Sequence, residues 1–205
     1  VVVQNAKFKH ADETILHPIL GLFDSSWSSL RQVLQFYSNN SISEKVCRFY
    51  KYCIRATGSH YFAPRIESMC SQLSEMFESQ GFSSYLYAAS ICVQEYGLVD
   101  GGTFSPLLFK MLHTISASFF SKARSLAEFE KCPDVVEEYF YMVARSMQCC
   151  PAQLVAFNGM RTIVLACLTA LEVPHRGVQK GSLTFLHKFS SIAAFSKFDS
   201  VTSKH

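Results

Sequence analysis

Residue types that perform catalysis are present in this chain of 205 residues, but they do not stand at the spacings that catalytic sites use. The sequence lacks a Gly-x-Ser-x-Gly elbow, a glycine-rich phosphate loop and a His-Glu-x-x-His zinc pair. Its seven histidines are scattered, at positions 10, 17, 60, 113, 175, 187 and 205. We therefore expect a protein that is not an enzyme, needs no cofactor and binds no metal.

The eight cysteines stand at positions 47, 53, 70, 92, 132, 149, 150 and 167. A disulfide framework is typical of short secreted chains with a sparse core, whereas 49% of this chain is hydrophobic. No Cys-x-x-Cys occurs, and no Cys and His residues have the spacing of a structural zinc site. We expect small buried thiols, with Cys149-Cys150 marking the end of a helix.

Two groups of basic residues have a spacing that could recognise anions. Lys45, Arg48, Lys51 and Arg55 share one face of a helix at 100° per residue, and we call them the N-terminal basic cluster. Arg176, Lys180, His187 and Lys188 form the C-terminal basic cluster. Residues 172–205 carry five Lys or Arg and two Asp or Glu, which accounts for the whole net charge of +3. Each cluster is either a solvated basic face or a ridge that binds anions.

Hydrophobic periodicity indicates the elements that must position these clusters. The chain divides at short breaks into eight helical segments, at about 14–38, 41–57, 61–80, 83–97, 103–124, 134–150, 152–171 and 174–196. The sequence predicts an all-α solenoid of about four antiparallel HEAT-like hairpins in a right-handed superhelix, because the hairpin length matches that repeat period. The predicted hairpins form one array over 1–205, at about 14–57, 61–97, 103–150 and 152–196, and residues 1–9 are interpreted as the remnant of a preceding helix.

The helix boundaries have local causes. Ser41 and Glu44 have the spacing of a capping box, which predicts a helix beginning at Ser41. Glycines that can take the left-handed conformation follow three apolar runs, at positions 58, 81 and 97. Prolines suited to the first turn of the next helix stand at positions 133, 151 and 174.

The apolar faces indicate how the helices pack. In segment 134–150 a single buried stripe is predicted, formed by Val136, Tyr139, Phe140, Val143 and Met147. Segment 152–171 has apolar residues all round and should be covered on several sides. Stacking of hairpins explains why only 17% of the chain is charged, since each repeat uses its neighbours to bury its faces. A piece cut from such an array should associate or aggregate.

Placement in the hairpins gives the two basic clusters a common setting. Both fall on the second helix of a predicted hairpin, and second helices of HEAT arrays line the concave binding surface. The two would then form a positive inner groove, which favours acidic or phosphorylated ligands. The overall charge is too mild for a general nucleic-acid binder. The longest uncharged runs, Cys149–Met160 and Thr162–Leu171, are too short to cross a bilayer.

Four stretches of the chain share a common likeness: Glu44–Phe49, Ser90–Gly97, Cys132–Phe140 continuing to Cys150-Pro151, and His175-Arg176 followed by Phe185-Leu186. In this order they resemble the SR-protein nuclear import receptors (transportin-SR) of the importin-β, or karyopherin-β, superfamily. The resemblance implies a mid-to-late part of a long HEAT superhelix that shuttles between cytoplasm and nucleus. It also implies protein cargo with Arg-Ser-rich, often phosphorylated segments, and Ran GTPase and nucleoporins as partners of the full-length receptor.

In these receptors an arginine-rich second helix holds the cargo, and it corresponds to Ser182–Phe189 and its surroundings. Thr184 and His187 stand where the family helix has arginines, which weakens bidentate phosphate recognition. The resemblance makes the C-terminal basic cluster the candidate cargo site. Two other hypotheses remain open from the sequence: a HEAT scaffold subunit whose partner packs on apolar surface, and a helical enzyme.

Overall fold

The structure is a computed structural model that describes the backbone of residues 17–202 and the side chains through residue 192. The predicted helix remnant at 1–9 and the start of the first predicted segment lie outside these residues. The described part is all-α and contains no strand, which confirms the predicted fold class. Its helices are α1 (Pro18–Phe36), α2 (Asn40–Gln80), α3 (Ser83–Tyr96), α4 (Ser105–Lys122), α5 (Leu126–Lys131), α6 (Pro133–Cys149), α7 (Pro151–Val155), α8 (Met160–Ala170) and α9 (Arg176–Thr202).

Helix α2 contains two helical pieces that meet at a kink. Gly58 has φ 80° and ψ 161°, a conformation that essentially only glycine adopts. The break predicted at this residue is therefore present, although helical hydrogen bonding continues on both sides of it. We call residues 40–57 the first half of α2 and residues 59–80 the second half.

The helices pack in two layers. In the first layer, Arg65 Nε of the second half of α2 donates to Asp24 Oδ1 of α1 at 2.7 Å, and Lys122 Nζ of α4 donates to the Glu78 carbonyl at 2.6 Å. The second layer runs from the first half of α2 through α3 and α6 to α9. Ser43 and Ser84 hydroxyls lie 2.9 Å apart across its first contact. The result is a solenoid of stacked helices. Its second layer brings side chains from the first half of α2, α3, α6 and α9 onto one surface, although these segments are far apart in the sequence.

Aromatic residues fill the space between the layers. Phe119 of α4 stacks on Tyr139 of α6 with ring centroids 4.1 Å apart, and Phe23 of α1 packs edge-on against Phe62 at 4.8 Å. All five residues of the predicted stripe of α6 are fully buried: Val136, Tyr139, Phe140, Val143 and Met147. The buried face is wider than predicted, because Met142 and Ala144 are buried as well. Burying large apolar side chains is the main favourable term in folding.

The capping box predicted at Ser41 and Glu44 is wrong. Asn39 caps α2 instead, since its Oδ1 accepts from the backbone N–H groups of Ser41 and Ile42 at 2.9 and 3.2 Å. Glu44 is then free to pair with Arg48 one turn later. Adjacent polar residues at 39–41 are all good caps, so the local pattern could not choose among them.

The capping box that does form, Ser125 with Glu128, opens the short helix α5, which the sequence did not predict.

The predicted helix ends at Gly81, Pro133 and Pro151 are confirmed. Gly81 is left-handed at φ 73°, and the two prolines begin α6 and α7. Gly97 differs from the prediction, because its φ is −62°. A Cβ there would lie 2.6 Å from the Cβ of Cys149, so this glycine permits close packing of α3 against the end of α6. Pro174 precedes α9 rather than starting it.

The single helix predicted over 152–171 is wrong. Residues 156–159 separate α7 from α8, and Gly159 serves as the N-cap of α8. The prediction that this segment is covered on several sides is also wrong for the described chain. Val155, Leu165 and Leu168 are 53%, 55% and 49% exposed. α8 packs mainly against α9 and α5, and this packing leaves Leu165 and Leu168 about half exposed.

The cysteines are free thiols, and all but the half-buried Cys132 are buried. Burial raises the pKa of Cys47, Cys53 and Cys167 to about 12 each. At such pKa values the reactive thiolate form is scarce. This confirms the prediction of buried structural thiols. Cys149 is the last residue of α6, as predicted for a helix end.

Candidate functional site

The outward side chains of the second layer form one surface, which we call the second-layer surface. The first half of α2, α3, α6 and α9 all contribute to it. Arg55 Nε of α2 meets Glu95 Oε1 of α3 at 3.3 Å, and Arg145 of α6 donates to the hydroxyl of Ser90 on α3. α6 and α9 are in contact where Phe140 lies beside Phe185, with centroids 6.3 Å apart. Both predicted basic clusters lie on helices of this layer.

The N-terminal basic cluster is half neutralised. Lys45, Arg48 and Arg55 are exposed and Lys51 is half-buried. Arg48 pairs with Glu44 in its own helix, and Arg55 pairs with Glu95. Surface ion pairs of this kind contribute about 0–1 kcal/mol to stability, but they cancel the local charge. Lys45 and Lys51 are the members of this cluster without a carboxylate partner in the described chain.

The C-terminal basic cluster lies at the other end of the layer. Arg176, Lys180 and His187 are exposed along one stripe of α9, and Lys188 is half-buried beside it. None of the four forms an ion pair with another described residue. The stripe also carries Leu183, which is 56% exposed between Lys180 and His187. This cluster therefore presents unneutralised charge next to apolar surface.

The helices between the clusters carry carboxylates. Glu95 lies on α3, and α6 contributes Asp134, Glu137 and Glu138. Asp134 Oδ2 accepts from Ser83 Oγ at 3.0 Å, and Glu137 lies against the backbone of Gly177 on α9. The expectation of a uniformly positive inner groove therefore needs correction: the carboxylates of α3 and α6, together with Arg145, lie between the two basic clusters.

A cavity of about 370 Å³ opens where the first half of α2, α3 and α6 meet, and we call it the α2–α3 groove. Its charged lining residues are Glu44, Arg48, Lys51 and Glu138, and its aromatic ones are Tyr52 and Tyr87. Sequence reasoning assigned Lys51 and Arg48 to a basic face but missed Glu138 and the two tyrosines. Those residues come from helices more than 30 positions apart, and no local pattern joins them.

The Glu138 carboxyl is the most perturbed acid described in the chain. Loss of hydration on burial raises its pKa to about 7, and repulsion from Glu137 and Asp134 adds to this, while Arg145 acts in the opposite direction. In the described structure Glu138 makes no hydrogen bond or close ion pair. The half-buried carboxyl has no direct hydrogen bond, and the positive charge of Arg145 on the same helix partly offsets its loss of hydration.

A second cavity, of about 730 Å³, lies between α4 and the residues that follow α7. Phe109, Phe120 and Phe157 line it, with His113 and Gln153 as polar neighbours. Its walls carry no cluster of acids and bases, and the sequence did not indicate it. It offers apolar surface for packing.

Two further kinds of site are absent from the part of the chain that the structure describes. No group of three or more His, Cys, Asp or Glu residues there is arranged to hold a metal ion. No described helix has the length and apolar character to cross a membrane.

The helical array is similar to a domain of a known protein family. Residues 17–123 match the family described as the transportin-3/importin-13 fourth TPR domain. The match covers more than half of the chain. This chain belongs to that family. The matched residues run from the start of α1 to the end of α4 and include the N-terminal basic cluster, whereas α6 and α9 lie beyond them.

A curated relative from Schizosaccharomyces pombe, an uncharacterised protein, is 21% identical over 180 residues. The similarity covers 87% of this chain and 18% of that protein. The chain thus spans less than a fifth of the length of this relative. Membership of the transportin-3/importin-13 family supports the importin-like resemblance that the sequence motifs indicated, at the level of the family.

Proposed function

We propose that this chain is a cargo-binding portion of a nuclear import receptor and that it acts without catalysis. The observation that carries the proposal is the match of residues 17–123 to a domain of transportin-3 and importin-13. The array is proposed to form one domain of four hairpins, at about 14–57, 61–97, 103–150 and 152–196. The full-length receptor would shuttle between cytoplasm and nucleus, engage nucleoporins and release its cargo when GTP-bound Ran binds to the receptor in the nucleus.

The proposed cargo site is the C-terminal basic cluster, Arg176, Lys180, His187 and Lys188. Its support is electrostatic: the cluster is mostly exposed, has no ion-pair partner among the described residues and contains much of the net positive charge. Cargo of the transportin-SR type, with Arg-Ser-rich or phosphorylated segments, offers phosphates that several cations can approach together. Lys45, Arg48, Lys51 and Arg55 are proposed as a weaker second contact, because two of them are already paired.

Fluorescence anisotropy with a phosphorylated Arg-Ser peptide tests this site. Changing all four residues of the C-terminal basic cluster to Ala should weaken binding by about tenfold or more, since charge-assisted hydrogen bonds contribute roughly 1.5–3 kcal/mol each. The matched control changes four cations outside the cluster to Ala: Lys110, Arg124, Lys131 and Arg161. Binding by the native chain should also weaken with added salt. Equal binding by the cluster variant and the native chain would refute the assignment.

A second candidate function is a HEAT-repeat scaffold subunit for a protein complex. The cavity between α4 and the residues after α7 favours it, because three phenylalanines line a space of about 730 Å³ that a partner could fill. A scaffold of this kind predicts association that does not respond to salt and does not depend on α9. The salt titration above separates the two functions.

A further inference from the structure

The turn that separates α7 from α8 contains Asn158 followed by Gly159. This is the only Asn-Gly pair in the chain, whose other asparagines stand at positions 5, 39 and 40. An Asn-Gly pair is chemically labile, because the glycine has no side chain to hinder its backbone nitrogen. That nitrogen can reach the carboxamide carbon of the preceding asparagine.

The turn leaves both reacting groups accessible. Asn158 is exposed, and its carboxamide has no hydrogen-bond partner among the described residues. The neighbouring turn bonds run from the Phe157 N–H to the Leu154 carbonyl and from the Met160 N–H to the Phe157 carbonyl, at 3.0 and 2.9 Å. The Gly159 N–H between them donates to no described acceptor. It can therefore turn towards the side chain without first breaking a hydrogen bond.

The two asparagines at the start of α2 lack this freedom. Asn39 Oδ1 accepts from the backbone N–H groups of Ser41 and Ile42, at 2.9 and 3.2 Å. The nitrogen that would have to attack Asn40 is that of Ser41, which is one of these two donors. Asn39 and Asn40 therefore serve as internal controls for any reaction at Asn158.

Packing explains why a glycine occupies this position. A Cβ at Gly159 would lie 2.5 Å from Cε1 of the Phe157 ring. That ring lines the cavity of about 730 Å³ between α4 and the residues that follow α7, and Asn158 lines the same cavity. A larger residue at 159 would have to displace the ring. The fold thus holds the labile pair at the wall of an aromatic cavity.

We propose that Asn158 is a site of spontaneous deamidation, which places a negative charge at the wall of this cavity. The Gly159 nitrogen bonds to Asn158 Cγ, the bond from Cγ to the side-chain nitrogen breaks, and ammonia leaves with the proton of the Gly159 nitrogen. A water molecule then opens the resulting succinimide ring. Opening at Cγ gives aspartate, and opening at the backbone carbonyl gives isoaspartate. The net reaction consumes one water and releases one ammonia.

The reaction changes the cavity in two ways. The new carboxylate makes the wall less suited to an apolar partner, because burying a charge is far more costly than burying apolar surface. Isoaspartate also lengthens the backbone of the turn, which shifts the Phe157 ring relative to α8. This modification goes beyond the proposed function. It acts on the surface that the scaffold function would use, and it does not depend on the basic cluster of α9.

The test compares the native chain with the urea-unfolded chain, both kept at pH 8 and sampled by peptide mapping with mass spectrometry. Deamidation raises the mass of a peptide by about 1 Da. We expect the native chain to gain this mass at Asn158 at a rate within about tenfold of the unfolded chain, because local opening of a turn is enough. A site that reacted only after global unfolding would be slower by a factor of about 10³ or more. Asn39 and Asn40 should stay unmodified in the native chain.

Two variants separate the chemistry from its effect. Asn158→Gln should abolish the mass gain at this position, since its longer side chain forms the cyclic intermediate much less readily, whereas Asn40→Gln should leave it unchanged. Amide NMR spectra of the aged native chain should show shifted resonances around residues 109, 120 and 157, and Asn158→Asp should reproduce the part that is due to charge. Both changes at 158 are on an exposed side chain.

Three results would overturn the proposal. They are an unmodified Asn158 in the native chain after the unfolded chain has reacted, equal mass gain at Asn40 and Asn158 in the native chain, and an aged chain whose cavity resonances do not move. The comparison of native and unfolded chain needs no variant.

Discussion

At the scale of single residues, Glu138 shows how packing sets the chemistry of a side chain. On the isolated α6 helix it would be an ordinary surface acid. Packing against α3 and the first half of α2 removes much of its hydration and raises its pKa to about 7. Ionising the Glu138 carboxyl therefore costs more in the folded chain than in the unfolded chain, and this difference lowers the stability of the fold. That penalty provides a stability measurement independent of any ligand.

Glu138→Gln should stabilise the fold at high pH. The folded-state pKa of Glu138 lies above its reference value of 4.5, so stability falls as pH rises from about 4.5 towards 7 and the penalty is complete above that. At pH 8 we expect the free energy of unfolding of the variant to exceed that of the native chain by about 1–3 kcal/mol. This range allows for the partial exposure of the Glu138 carboxyl to solvent. Urea denaturation at pH 8 and pH 5 measures it. A gain that is equal at both pH values would contradict the raised pKa.

At the scale of the helices, glycines do two different jobs that look alike in the sequence. Gly58 and Gly81 adopt positive φ, which favours glycine. Gly97 has an ordinary helical φ, and a glycine is required there because a Cβ would collide with the side chain of Cys149. All three follow apolar runs, so the sequence predicted one role for all. The distinction depends on which helix packs against the site, and that is non-local information.

Gly58→Ala should destabilise the chain through backbone strain alone. A Cβ at this position meets no atom within 4 Å, yet the φ of 80° with ψ of 161° is unfavourable for alanine. We expect a loss of about 1–3 kcal/mol in the free energy of unfolding, measured by denaturant titration.

The neighbouring change Ser59→Ala is the control and should have a small effect, since it adds no backbone strain. If Gly58→Ala proved as stable as the native chain, the kink would not be an obligatory feature of α2.

At the scale of the whole molecule, the array leaves apolar side chains uncovered on α8. The sequence predicted that this segment would be enclosed, but Leu165 and Leu168 remain about half exposed in the described structure. Exposed apolar surface of this kind is typical of sites where another repeat or another protein packs. It gives the predicted self-association a definite location.

Leu165→Lys combined with Leu168→Lys should therefore reduce association of the chain. Light scattering at tens of micromolar should show a smaller mean mass for this double variant than for the native chain, because charges disfavour burial of the face. Thr162→Lys places a charge on the same exposed stripe without removing an apolar side chain, and it should have less effect. A native chain that is cleanly monomeric under these conditions would contradict the predicted association.

The all-α class, most helix boundaries and the five predicted buried residues of α6 follow from the amino-acid sequence alone. These depend on local physics: the helical period, the missing N–H of Pro133 and Pro151, and the backbone freedom of Gly81. The sequence did not determine the break between α7 and α8, or the choice of Asn39 over Ser41 as a cap. Several neighbouring residues satisfy the local rules there, and packing selects among them.

The electrostatics of the second-layer surface depend on how the helices pack against one another. Arg55 forms an ion pair with Glu95, which is 40 residues away in the sequence. Glu138 lies in one groove with Lys51 and Tyr87. Charge interactions depend on distance and hydration in space, and a sequence records neither for residues on different helices. The basic residues are recognisable along the chain, whereas Glu138 of α6 joins the groove because α6 packs beside α3 and the first half of α2.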